Sequence, residues 1–101
     1  MFGRSRYGKV VTAQLDLFLR DHGDVIEEAS RRLKLYTHGD RSDAEELYGD
    51  YADAVEQGTE ILAEMRDHYG ATLESPDDYV SEFNRAVAKR LPEFGTEIEN
   101  R

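Results

Sequence analysis

A chain of 101 residues with 39% hydrophobic side chains can close one modest core, because a molecule this small leaves much of its surface wet. It has no cysteine, which excludes disulfides, thiolate metal sites and cysteine nucleophiles and leaves the redox compartment open. The formal charge is −9, spread as +3 over residues 1–9, −1 over 10–39, −8 over 40–73 and −3 over 74–101. A phosphate backbone is repelled by such a surface, so no nucleic acid is expected among its partners.

Residues 1–9 read as a flexible basic leader carrying Arg4, Arg6 and Lys9, and residues 10–101 as a single helical-bundle domain. Asp16 interrupts the apolar stretch after the leader before it reaches the length of a signal peptide. No run approaches a membrane span, so the expectation is a cytoplasmic protein without a membrane partner.

From Val11 onward, Leu15, Phe18, His22, Val25, Ile26, Ala29, Leu33 and Tyr36 fall within one arc of roughly 100° at helical spacing. Gly23-Asp24, with Glu27 three residues on, has the form of a helix stop followed by a capping box. Because the stripe keeps its phase through Gly23, the spacing predicts one long helix over about residues 10–37, kinked at that glycine.

His38-Gly39-Asp40-Arg41 supplies a turn, with Gly39 expected at positive φ and Ser42 as the cap of the next helix. A second stripe then runs over residues 43–69 through Leu47, Tyr48, Tyr51, Val55, Gly58, Thr59, Leu62, Met65 and Tyr69, with Gly70 fitting the position just past the helix end. Folding the two helices back at the turn sets Ala29 near Tyr51, Phe18 near Leu62 and His22 opposite Gly58 and Thr59. That last level, with two glycines and a polar ring, is predicted to be the weakest packed.

Ser75 is the expected cap of a third helix, with Pro76 in its first turn beside Asp77 and Asp78, where negative charge suits the helix dipole. Its apolar face is Tyr79, Val80, Phe83, Ala86, Val87 and Leu91. Pro92 either ends it or opens a final short turn through Phe94 and Ile98, and the last few residues are expected to fray. The fold class expected is all-α: a long antiparallel helical hairpin plus a shorter third helix, with a four-helix core formed by dimerisation.

The chemistry-bearing residues are few. His22 is a titratable group on an apolar stripe, readable as a pH-sensitive position or as a satisfied core histidine. Glu60, Glu64 and His68 share a helix face and are the surface candidates for a metal ion, against the plainer reading of a solvated face. The Glu-x-x-His pairs of carboxylate-bridged metal bundles are missing, since Leu19, Leu35 and Met65 stand three before the three histidines. No nucleophile constellation or phosphate loop is present, so a non-enzymatic protein without cofactor is the preferred reading.

Tyr48 and Tyr51 suit either rim packing within the monomer or a half-wet partner surface, and Val10, Leu17, Leu35 and Ile61 form a second apolar set that could seat the third helix or another subunit. These six are the expected interface. The function expected is a helical interaction module, a small adaptor or regulatory subunit that self-associates and meets a basic protein partner. The alternative is a carboxylate/histidine metal-binding bundle with a ferritin-like storage or redox role.

Overall fold

Five α-helices and one 3₁₀ turn make up the computed structural model, which describes residues 6–101; no strand occurs among them. Met1 to Ser5, and with them most of the expected leader, lie outside the described residues. The leader's other end is structured: α1 starts at Gly8 and runs to Asp21, so Lys9 is helical. The Glu82 carboxylate accepts the backbone N–H groups of Arg6 and Tyr7 at 3.2 and 3.0 Å, satisfying amides at the helix entry that have no intrahelical acceptor.

The long first helix is two. α1 stops at Asp21, His22 takes φ −128° and ψ 32°, and α2 runs from Gly23 to His38. Only one residue leaves helical geometry. The His22 N–H still donates to the Phe18 carbonyl at 2.8 Å, and the His22 carbonyl accepts from Val25 and Ile26 at 3.1 and 3.3 Å. This is why the apolar stripe keeps its phase across a real break. Asp24 lies in the first turn of α2 without capping it.

α2 turns through the 3₁₀ segment Arg41–Asp43 into α3, Ala44–Gly70. Neither Ser42 nor Asp43 caps by its side chain. Gly39 has φ −80°, so it is not there for a left-handed conformation; a Cβ would strike the Leu47 side chain and lie 2.7 Å from the Leu35 carbonyl oxygen. α2 has α3 as its main neighbour. Tyr36 meets Tyr48 edge to face at 5.3 Å between centroids, and Arg32 reaches Asp50 at 3.4 Å.

α4, Asp77–Arg90, starts with Pro76 in the capping position and no side-chain cap from Ser75. Leu91 breaks the helix at φ −134°, and Pro92 opens α5, Pro92–Glu99. The short turn expected here is an eight-residue helix, and it is among the best-buried parts of the chain: Phe94 and Ile98 are both 0% exposed. Phe94 fills the level predicted to be weakest. Its ring lies against Gly58, where a Cβ would come within 3.1 Å of three ring atoms, and meets Phe18 edge to face at 6.3 Å.

The core is thus built from Val11, Leu15 and Phe18 of α1, Val55, Leu62 and Ala63 of α3, Tyr79, Phe83 and Val87 of α4, and Leu91, Phe94 and Ile98 around α5. With Ala29 of α2, 1% exposed, all five helices contribute to it. α4 and α5 pack against α1 and α3 and add Tyr79, Phe83, Val87, Phe94 and Ile98 to the core. Arg66, 3% exposed, lies within this packing: Nη1 donates to Asn84 Oδ1 at 2.9 Å and to the Ile98 carbonyl at 3.1 Å, while Nε reaches Asp67 at 2.8 Å. The cation sits at the C-terminal end of α5, where the helix dipole is negative.

Candidate interaction surface

Beyond this body α2 and α3 continue as a two-helix arm. Ala29 and Ala54 are buried, yet none of residues 30–53 is, although that stretch carries Leu33, Leu35, Tyr36, Leu47, Tyr48 and Tyr51. Leu35, Tyr36 and Tyr48 remain 42%, 38% and 53% exposed. The aromatic rings form a ladder, Tyr36 to Tyr48 and Tyr48 to Tyr51, the second step at 6.3 Å. Tyr36 and Tyr48 stay exposed, while Tyr51 packs partly against the core with Glu93 of α5 beside it.

At the base of the arm, between α3 and α5, lies a cleft of about 300 Å³ walled by Tyr48, Tyr51, Ala52 and Val55 and rimmed by Glu56, Glu93 and Glu97. Burial raises the Tyr51 phenol above its ordinary range, and the negative charge of Glu93 adds to the effect. Arg101 reaches Glu56 at 3.5 Å, whereas the carboxylates of Glu93 and Glu97 make no hydrogen bond or ion pair with the described residues.

The six expected interface residues do not form one surface. Val10 and Ile61, and at the base of the arm Tyr51, are partly buried against the core. Leu17 lines an apolar groove between α1 and α3 with Gln14, Met65, Tyr69 and Thr72. Leu35, Tyr48 and Tyr51 belong to the arm. One apolar set on the helical wheel was divided because the break at His22 and the arrival of α4 and α5 give different stretches of the same face different neighbours.

His22 is half-buried at the α1–α2 break, its ring 5.5 Å from that of Phe18, and is not a core position. Thr59, expected near it, donates instead to the Val55 carbonyl at 2.8 Å. Glu60, Glu64 and His68 all lie on the exposed face of α3, around a shallow groove with Asp67 and Arg101. Among the described residues no group of three or more acidic or histidine side chains is close enough to hold a metal ion. No helix of the described chain is long and apolar enough to cross a membrane.

Arg66 was legible in part, since it stands four after Leu62 and seven after Thr59 on the buried stripe; its charge hid it. The part that Glu93 and Glu97 play has no sequence signal, because it depends on α5 lying along α3. No protein-family model matches the chain, and neither a curated protein nor a solved structure matches it significantly.

Proposed function

We propose that this protein is a non-enzymatic helical interaction module, an adaptor or regulatory subunit that pairs with a second copy of itself through the α2–α3 arm. One observation carries the reading: six large apolar or aromatic side chains lie in residues 30–53, and none is buried within the chain. Two such arms laid together form a four-helix bundle, the simplest arrangement that removes those faces from water. Charge favours the antiparallel, self-complementary pairing. Residues 31–41 carry +3 and residues 43–56 carry −6, so the α2 side of one arm suits the α3 side of its twin.

Native mass spectrometry and sedimentation of the wild type and of a Leu35→Ser/Tyr36→Ser variant test this. Both residues are exposed, and circular dichroism checks that the variant keeps its helicity. The wild type is expected as a dimer and the variant as a monomer. A wild type that stays monomeric at high micromolar concentration refutes the pairing.

A further inference from the structure

The cleft between α3 and α5 offers more than a place for a twin. Its walls are two tyrosine rings, its rim three glutamates, and two of those glutamates have no cation of their own among the described residues. An aromatic face attracts a cation through its quadrupole, and a carboxylate attracts it through charge. The volume, about 300 Å³, is at the lower limit of small-molecule sites, which run from roughly 300 to 1,000 Å³. It suits one long side chain better than a cofactor.

The surroundings extend the same chemistry along α3. Glu45, Glu46, Asp50, Asp53 and Glu56 precede the first basic residue of that helix, Arg66. Among the described residues, Asp50 alone of the first four is paired with a cation, Arg32. Each exposed ion pair is weak, so one cation would not be held for long; several in register along a partner segment would.

We propose that the α3–α5 cleft receives an arginine or lysine side chain from a basic segment of a partner protein, with Tyr48 and Tyr51 stacking on its stem or head and Glu56, Glu93 and Glu97 meeting its charge. The inference deepens the adaptor reading by naming the class of partner. It does not require the arms to pair, since the carboxylates that define it lie at the arm's base and on α5.

The probe is N-acetyl-tetraarginine amide, titrated into ¹⁵N-labelled protein and followed by amide chemical shifts. The largest shifts are expected at Tyr48, Tyr51, Thr96 and Glu97. Glu93→Gln/Glu97→Gln should weaken binding at least fivefold. Glu45→Gln/Glu46→Gln, the same change in net charge at the other end of α3, should weaken it less than twofold. Circular dichroism checks that both variants fold, and native mass spectrometry of the same samples reports the oligomeric state. Retention of the peptide by the Leu35→Ser/Tyr36→Ser variant, with loss in Glu93→Gln/Glu97→Gln, supports the cleft even if the wild type proves monomeric. Equal weakening by the two carboxylate pairs, shifts centred on the first turns of α3, or no binding overturns it while leaving self-association to its own test.

Discussion

Gly58 and Gly49 lie on the same helix and answer an added methyl group in opposite ways. At Gly49 nothing lies within 4 Å of a Cβ, so Gly49→Ala should stabilise the protein by up to about 1 kcal/mol through helix propensity. At Gly58 the Cβ would press on the Phe94 ring, which is fully buried and has no room to retreat. Gly58→Ala should therefore destabilise by about 1–3 kcal/mol, overpacking outweighing propensity. Urea midpoints of the two variants check both signs.

Tyr79 is the largest fully buried side chain, its hydroxyl donating to Gln14 Oε1 at 2.8 Å and its ring touching Tyr7, Tyr69 and Phe83. Burial raises its phenol above the ordinary 10.0. The folded state thus holds the neutral form more tightly than the unfolded chain does. That stability is fully present below pH 10.0 and is lost as pH rises through the folded value. Alkaline denaturation should begin above about pH 10. Tyr79→Phe should flatten part of that loss, at a cost near neutrality of about 1 kcal/mol for the missing hydrogen bond. Thermal melts from pH 7 to 11 separate the two effects.

Among the elements, α5 is the one whose importance exceeds its length. Eight residues place Phe94 and Ile98 in the core and bring a carbonyl to the buried Arg66. Phe94→Ala should cost about 3–5 kcal/mol, as for any large aromatic removed from a closed interior, whereas a frayed terminus would lose almost nothing. Equilibrium urea unfolding decides between them. Gly95 allows the close approach of α5 to α4: a Cβ there would lie 3.0 Å from the Ala88 Cα. The connection between the helices is short because Leu91 alone leaves helical geometry before Pro92 restarts it.

At the scale of the whole molecule the shape is elongated, 50 × 27 × 24 Å, with a closed body and an open arm. The body holds every buried residue of α1, α4 and α5, and the arm holds none of its own. Local stability should follow that division, since helices with one uncovered face open more readily than those packed on all sides. Amides of residues 33–50 are expected to exchange with deuterium faster than those of 58–66 or 79–87. If arms pair, protection in the first stretch should rise with protein concentration while the other two stay unchanged.

What the sequence determined by itself was local. The second stripe over 43–69 corresponds to α3, Ala44–Gly70, and the third helix, expected to open at Pro76 and end before Pro92, to α4, Asp77–Arg90, because periodicity, proline and turn chemistry act within a few residues. On the main stripes, Val11, Leu15 and Phe18 of α1 and Tyr79, Phe83 and Val87 of α4 are buried for the same reason, with Val80 and Ala86 partly so. Only the tertiary structure decided the rest. The acceptor at the entry to α1 is Glu82, seventy-five residues from Tyr7; the partner that makes Arg66 a core residue is the carbonyl of Ile98, thirty-two residues on. Whether Phe94 frays or fills the space over Gly58, and whether Glu93 and Glu97 line a cleft, depends on α5 folding back across α3. Such contacts form between residues with no local relation to one another, so no spacing rule announces them.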